Sequence, residues 1–410
     1  MRGLRVAIVG CGTAGAASAL LLARAGHDVT VFERVPEPGP VGAGIMMQPS
    51  GLLVLERLGL ADPILERGAR VARLLCETAT GRQVLDLQYE WLAEGLFGVG
   101  LHRGVLFETL HGALLASAAR LRCGVSIEDV RVRSDRVCLT EDTGERHDGF
   151  DLAVVCDGAR SRVRESMRDL TCEVRPYPWG ALWFIARDPE GRFGGRLHQL
   201  VRGTSQMIGT LPTGLGPSQG QVQLVSLFVS TRGDAVEGVR ARGLQAWKDD
   251  VLAVAPATAP LLDQVEDLSQ LTFASYYDVV MPRWHAHRIA LLGDAAHATS
   301  PQLGQGCNLA LCDAASLADA IEGEGSVERA LHRFTASRRA HLGFYQLATR
   351  WLTPFFQSDL PPLGWVRDAL MGPACRFSFV RREMVRSMAG TKTGIFAGSM
   401  ETRMPRQASD

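Results

Sequence analysis

The stretch that decides the fold is RVAIVGCGTAGAASALLLARAGHDVTVFER, residues 5–34. Residues 6–9 form a short apolar run of the kind that a buried parallel strand requires. A helix rich in alanine and leucine is predicted over residues 16–25, and Asp28–Glu33 has the pattern of a second strand. The order of strand, glycine-rich turn, helix and strand predicts a βαβ unit at the start of the chain.

The turn of this unit has the spacing GxGxxG, with glycines at positions 10, 12 and 15. Gly10 permits a tight turn, Gly12 lets the backbone approach a pyrophosphate, and Gly15 lets helix and strand pack closely. The free N–H groups of the helix N-terminus favour phosphate, and Glu33 is placed to accept hydrogen bonds from a ribose. A purely structural glycine turn is the alternative, and the element alone does not separate NAD from FAD.

Length and composition restrict the class of protein. The 410 residues predict two or three domains, and 46% hydrophobic with 21% charged residues excludes a disordered chain or a coiled coil. Because Lys+Arg and Asp+Glu are both 44, no overall basic field exists to attract nucleic acid. Nine cysteines without zinc or CxxC spacing favour a reducing, cytoplasmic compartment. The sequence contains no apolar run long enough for a transmembrane segment.

Two further motifs follow predicted buried strands. Residues 151–156 form one such strand, and the dipeptide Asp-Gly follows at 157–158. Residues 289–292 form another, followed by Gly-Asp at 293–294. The segment PQLGQGCN, residues 301–308, then opens a predicted helix.

With these three motifs in this order, the chain resembles the flavoprotein monooxygenases of the para-hydroxybenzoate hydroxylase type over residues 5 to 345. The resemblance implies an α/β fold, in which a Rossmann-like FAD-binding domain carries an inserted, mainly antiparallel β substrate domain and a C-terminal helical segment. The implied FAD-binding domain comprises 1–70, 100–165 and 285–345, the substrate domain 71–99 and 166–284, and the helical segment 346–410.

The resemblance also implies residue roles. Asp294 would bind ribityl or ribose hydroxyls of FAD and Arg103 its pyrophosphate, although a helix cap and a surface ion pair are their respective alternatives. The helix that opens near Gly304 would direct N–H groups toward the flavin pyrimidine edge. Pro301 would lie beside the flavin, and His297 either lies near it or is a packing residue. The predicted FAD-binding set is Gly10, Gly12, Gly15, Glu33, Arg34, Gly44, Arg103, Asp157, Asp294, Pro301, Gly304, Gln305, Gly306 and Asn308.

The implied reaction is hydroxylation of an aromatic or heteroaromatic small molecule with O2 and NADH or NADPH, through a flavin C4a-hydroperoxide. FAD carries this chemistry, and no catalytic side chain is identified. A flavin-dependent epoxidation or dehydrogenation is an alternative, as is a non-catalytic binding protein on the same fold. A halogenase is disfavoured because the sequence lacks a WxWxIP segment. The protein is expected to be a monomer or a homodimer.

Strand-like runs at 179–186 and 221–229 predict an antiparallel sheet that covers the flavin. Trp183, Phe228 and Tyr276 are predicted to line an aromatic substrate pocket there. The chain after Ser326 is predicted to be helical. Its tail, residues 360–386, mixes aromatic side chains with arginines. This tail either covers the main body with a solvated arginine face or docks on a partner or an anionic membrane surface.

Overall fold

The computed structural model describes residues 1, 3–40, 42–167, 170, 172–395, 398–400 and 402–406. Its strands and helices follow the predicted alternation of α and β elements. The strands are β1 (Arg5–Val9), β2 (Asp28–Glu33), β3 (Gly44–Met47), β4 (Ala69–Thr78), β5 (Gln83–Gln88), β6 (Gly98–His102), β7 (Arg120–Cys123), β8 (Ile127–Arg133), β9 (Arg136–Glu141), β10 (Arg146–Phe150), β11 (Leu152–Val155), β12 (Glu173–Arg187), β13 (Gly195–Arg202), β14 (Gln206–Leu215), β15 (Gln223–Arg232), β16 (Thr272–Val280), β17 (His285–Ala286) and β18 (Ile289–Leu291).

The α-helices connect these strands and form the end of the chain. They are α1 (Thr13–Arg24), α2 (Pro49–Arg57), α3 (Ala61–Arg67), α4 (Arg103–Leu115), α5 (Arg162–Ser166), α6 (Val236–Leu252), α7 (Ala259–Leu262), α8 (Asp294–His297), α9 (Gly306–Gly323), α10 (Val327–Phe356), α11 (Pro361–Ala374) and α12 (Ser378–Met388). Within the described residues, none of these helices has the length and apolarity needed to cross a bilayer.

A six-stranded sheet contains the predicted βαβ unit. Its strand order is β17-β18-β11-β1-β2-β7, and all pairs except β17 with β18 are parallel. Because β11 lies between β1 and β18, the carboxyl ends of the three strands that precede the three motifs are adjacent. In open α/β sheets, ligands bind at this edge. The sheet therefore brings together motifs that lie almost 300 residues apart in the sequence.

A larger, mainly antiparallel sheet has the order β16-β12-β15-β14-β13-β4-β6-β3, with β5 paired to β4 and β13 parallel to β4. This confirms the predicted inserted β domain. The domain boundaries stay a prediction; β3, from the segment assigned to the FAD-binding domain, and β6, which crosses the proposed boundary at residue 100, both pair into this sheet. A Cβ atom at Gly100 would lie 1.8 Å from the Pro212 carbonyl oxygen. Only glycine at position 100 therefore allows β6 to lie this close to β14.

The C-terminal helices cover one face of the large sheet. Helix α10 continues without a break across the predicted boundary at residue 345, since its buried stripe extends to Phe356. The Ser326 side chain caps its N-terminus by accepting from the Arg329 N–H. One hydrophobic cluster joins α12 to the face of the large sheet that carries Phe228. A second cluster packs α6 and α7 on the opposite face of the sheet.

Candidate functional site

The first motif forms a turn at the carboxyl end of β1. Gly10 has φ +95°, and a Cβ atom there would lie 2.6 Å from the Cys156 carbonyl oxygen. A Cβ atom at Gly15 would lie 1.9 Å from the Gly10 carbonyl oxygen. Both glycines are therefore required by backbone conformation or by close packing within the protein itself.

Gly12 differs from these two glycines. Its φ is −75°, and no described heavy atom lies within 4 Å of the position that a Cβ atom would take. The protein's own packing does not require glycine here, whereas a pyrophosphate approaching the N-terminus of α1 does. The Glu33 carboxylate accepts from the N–H groups of Cys11, at 2.7 Å, and Val35, at 2.9 Å, and so fixes this loop.

The second motif lies next to the first. Asp157 is half-buried, its Oδ1 atom has no hydrogen-bond partner among the described residues, and burial raises its pKa. Buried Arg164 donates to the carbonyl oxygens of Ala159 at 2.7 Å and Ala295 at 2.8 Å. Arg164 thereby ties the second motif to the third, a role that the sequence pattern did not reveal. Arg34 is exposed after β2.

The third motif lies beside the N-terminus of α9. Asp294 is exposed, and its Oδ1 atom lies 3.9 Å from the position of a Cβ atom at Gly306, the first residue of α9. The exposed residue Pro301 begins the short helical turn that leads to Gly304, whose φ is +60°. The Asp294 carboxylate and the free backbone amides at the N-terminus of α9 therefore lie together at the carboxyl edge of the six-stranded sheet, which we call the cleft.

Arg103 reaches the same cleft from the first turn of α4. Burial raises the pKa of the Cys307 thiol to about 12, while the charge of Arg103 lowers that pKa and the charge of Asp294 raises it. Both charged groups therefore act electrostatically on one thiol in the first turn of α9. Arg103 is exposed, and no ion-pair partner of its guanidinium is found among the described residues. A cation without a protein partner fits a role in binding phosphate.

Like Glu33, three further residues of the predicted FAD-binding set are engaged within the protein. The Asn308 side chain donates to the Met46 carbonyl oxygen at 2.9 Å and accepts from the Gln48 N–H at 2.8 Å. The Gln305 side chain donates to backbone carbonyl oxygens of the C-terminal segment. Gly44 packs so closely that a Cβ atom would lie 2.7 Å from that of Ser226. The side chains of Asn308 and Gln305 thus position the walls of the cleft, and the Gly44 N–H donates to Ser226 Oγ at 3.2 Å.

The predicted aromatic residues meet on one face of the large sheet. Trp183 and Phe228 are cross-strand partners, and their ring centroids lie 4.9 Å apart. Tyr276 on β16 packs into the same cluster. Burial raises the pKa of the Tyr276 phenol to about 12, although a hydrogen bond with Trp183 lowers it, so the phenol stays protonated at neutral pH. Gly209 leaves room for the Phe228 ring, which a Cβ atom would approach to 2.0 Å.

A family comparison identifies what this site binds. A profile described as the FAD binding domain matches residues 3–342. The 3-amino-4-hydroxybenzoate 2-monooxygenase of Streptomyces cremeus is 31% identical over 352 residues, covering 82% of this chain and 84% of the relative. The chain belongs to the FAD-dependent aromatic monooxygenases. FAD is the cofactor of this monooxygenase, and the matched range contains all three motifs.

Two other proteins align with nearly the whole monooxygenase. The 2-heptyl-3-hydroxy-4(1H)-quinolone synthase of Pseudomonas aeruginosa is 28% identical over 376 residues, covering 90% of this chain and 94% of the relative. HpxO of Klebsiella pneumoniae, solved with FAD and uric acid, superposes with a TM-score of 0.79 at 20% identity. That alignment covers 94% of this chain and 97% of the HpxO chain, and it shows that the fold is shared.

His297 of the monooxygenase is buried behind the cleft. Its Nε2 atom lies 2.5 Å from Asp313 Oδ2, which also accepts from the Gly293 N–H at 2.9 Å. The other carboxylate oxygen accepts from Arg338 Nε at 2.7 Å, and Arg338 contacts His341. Burial by itself would raise the pKa of Asp313, but the charges of His297 and Arg338 and the hydrogen bonds of His297 and the Gly293 N–H lower it to about 2. His297 therefore belongs to a buried ionic network that supports the third motif.

Proposed function

We propose that this monooxygenase hydroxylates an uncharged aromatic or heteroaromatic ring, with O2 and NADH or NADPH as co-substrates. The observation that carries the proposal is the Trp183–Phe228 pair, which lies in an uncharged part of the large sheet, since residues 179–186 of β12 contain no charged side chain. Strand β14 has no charged residue, and β15 has only Arg232 at its end. A substrate carboxylate against these strands would lose hydration without gaining a partner from them.

This composition discriminates between the substrate classes of the relatives. The Streptomyces relative is named for a benzoate, which is an anion at neutral pH, whereas the Pseudomonas relative is named for a neutral quinolone. The uncharged strand segments around Trp183 and Phe228 favour a neutral substrate of the quinolone type over a benzoate. Tyr276, as a protonated phenol, would donate a hydrogen bond to such a ring and would not act as a base.

The residues at the sheet edge fit FAD. The open space at Gly12 and the guanidinium of Arg103 would hold its pyrophosphate, and Asp294 would hold sugar or ribityl hydroxyls. The unpartnered Oδ1 atom of Asp157 is a further acceptor. The first amides of α9, at Gly306, would contact the pyrimidine edge, where a helix N-terminus favours negative charge. When bound, FAD supplies the redox and oxygen chemistry of the reaction.

The protein's own contribution would be positioning and exclusion of water. Strand β3 is the edge strand of the large sheet; its Gly44 N–H donates to Ser226 of β15, and its Met46 carbonyl oxygen accepts from Asn308 of α9, so the sheet is held against the cofactor edge. Pro301 would contact the flavin from the loop before α9. A closed, apolar compartment between sheet and flavin would protect reactive intermediates from water.

The cellular setting is part of the same proposal. All nine cysteines are free thiols, which favours a reducing compartment such as the cytoplasm. A monomeric or homodimeric state stays a prediction that sedimentation equilibrium would test.

The experiment is a substrate screen with the purified yellow enzyme. Phenols and 4-quinolones, each beside its carboxylated counterpart, would be tested for accelerated NADH or NADPH oxidation. We expect the neutral member of each pair to be preferred, with one oxygen atom added to the product by mass spectrometry. Hydrogen peroxide would be measured in parallel, because oxidation that yields only peroxide is not hydroxylation. Preference for the carboxylated members, or products without added oxygen, would contradict the proposal.

A further inference from the structure

Helix α11 has an exposed face that is entirely apolar. Trp365 is 74% exposed, Leu370 is 62% exposed and Val366 is 42% exposed. Every exposed residue of this helix is tryptophan, valine, alanine, leucine or proline. Surface helices of globular proteins normally direct charged and polar residues to the solvent, so this face is suited to an apolar environment.

The charged residues of α11 face the protein body instead. Arg367 and Asp368 are the only charged residues of the helix. Arg367 is 1% exposed, donates to the carbonyl oxygens of Gly203 and Phe355 at 2.9 Å, and pairs with Asp368. The helix thus satisfies its charges internally and presents its hydrophobic residues outward, which reverses the usual polarity.

The exposed apolar character continues beyond the end of α11. Phe377 is 68% exposed and Phe379 is 65% exposed. We refer to Trp365, Val366, Leu370, Phe377 and Phe379 together as the C-terminal apolar surface. Single exposed hydrophobic residues are ordinary, but such a concentration on neighbouring segments marks an interaction site.

Positive charge accompanies this surface. Arg376 and Arg382 are exposed, and Arg381 lies over the Trp91 ring with its guanidinium carbon 4.2 Å from the centroid. The acids of residues 361–383 are Asp368, which pairs with Arg367, and Glu383, which pairs with Arg386 and Lys392. Those two carboxylates are already engaged, so the segment presents net positive charge beside its aromatic side chains.

We propose that the C-terminal apolar surface docks on the headgroup region of an anionic lipid bilayer. Tryptophan and phenylalanine beside arginine is the composition of segments that lie in the membrane interface, and the arginines match anionic lipid headgroups. A two-fold contact between copies of this chain would bring the same arginines together without acids to pair them. The charge pattern therefore favours lipid over self-association.

The test is flotation of the flavin-loaded enzyme with vesicles. Vesicles of phosphatidylcholine containing about one third phosphatidylglycerol would be compared with pure phosphatidylcholine vesicles. We expect binding to the anionic vesicles that weakens with added salt, and at least roughly tenfold weaker binding to the neutral vesicles. The variant Trp365→Ser/Phe377→Ser/Phe379→Ser should lose roughly tenfold or more of the binding to anionic vesicles. The variant Arg376→Gln/Arg382→Gln should lose the preference for anionic over neutral vesicles.

The matched control is Leu115→Ser, which removes a 64% exposed leucine at the end of α4. It should bind vesicles as the wild type does, and flavin content would verify the fold of every variant. Wild-type enzyme that does not float with anionic vesicles would overturn the proposal. Equal binding by the triple serine variant would overturn it as well. A wild-type dimer that the triple variant dissociates, without vesicle binding, would assign this surface to self-association instead.

Discussion

The substitution Asp313→Asn tests the buried ionic network most directly. In the structure, the Asp313 carboxylate is 1% exposed and contacts three groups: Gly293 N–H at 2.9 Å, His297 Nε2 at 2.5 Å and Arg338 Nε at 2.7 Å. Asparagine keeps the shape but removes the charge. Its amide also supplies one acceptor atom where the aspartate supplies two, so either Arg338 or both Gly293 and His297 would face an NH2 group.

The expected cost follows from burial. The Arg338 side chain is 4% exposed, so the variant would leave a cation without its counter-charge in a site that water does not reach. Breaking a buried pair in this way costs about 3–5 kcal/mol, which is a large part of a total stability of about 5–15 kcal/mol. The Gly293 N–H would also be held less firmly, and the neighbouring Asp294 would lose part of its orientation toward FAD.

The assay is urea unfolding followed by circular dichroism, together with the ratio of flavin to protein absorbance. Asp319→Asn is the matched control, because Asp319 lies on the same helix, is 57% exposed, and pairs with Arg57 at 2.7 Å. A surface pair of this kind contributes about 0–1 kcal/mol. If Asp313→Asn and Asp319→Asn changed stability equally, and both retained flavin fully, the reasoning about the network would be refuted.

Three further predictions concern the cofactor edge and acid stability. Gly12→Ala should lose FAD, while the stability of its apoprotein stays near that of the wild type. Gly15→Ala should lose FAD and also lower the unfolding free energy by about 1–3 kcal/mol, because the added methyl group overpacks the site. Urea unfolding of both apoproteins separates these cases. Asp294→Ala should purify mostly as apoprotein by absorbance, while Asp319→Ala stays yellow; full flavin retention by Asp294→Ala would exclude its assigned role. Burial lowers the pKa of His341 from 6.5 to about 3, so below about pH 6.5 the unfolded chain gains a proton that the folded chain does not. Stability should therefore fall from pH 6.5 toward pH 3 by up to about 1.4 kcal/mol per pH unit, and an unfolding free energy that is independent of pH across this range would contradict the assignment.

Several features of the site could be predicted because they depend on local chain geometry. A tight turn after a strand, a helix N-terminus for phosphate and a carboxylate at a strand end each need particular residues at fixed spacing. The sequence has such residues as the glycines at 10, 12 and 15 and as the dipeptides at 157–158 and 293–294. The same local rules predicted a helix after Ser326, because a buried stripe recurs with the period of the helix.

Other features depend on which distant segments meet. Asn308 and Gln305 look like residues that face a cofactor, but their side chains bind β3 and the C-terminal segment. Gly44 is required by a contact with Ser226, which lies far along the chain. The predicted domain boundaries near 70 and 100 could not anticipate that β3 and β6 join the large sheet, because strand pairing is not encoded in local periodicity.

By itself, the sequence determined the βαβ unit and the three motifs, since each depends on residue type and short-range spacing, and the family resemblance of those motifs implied the FAD-binding fold and its inserted sheet. Only the tertiary structure decided which of those residues face the cleft. It separated Gly12, which borders open space, from Gly15, which packs on backbone, and it placed His297 in a buried pair with Asp313. It also showed that α11 turns its charges inward. The physical reason is that burial and charge pairing arise from segments distant in the chain, and the sequence pattern of one segment does not contain its partner.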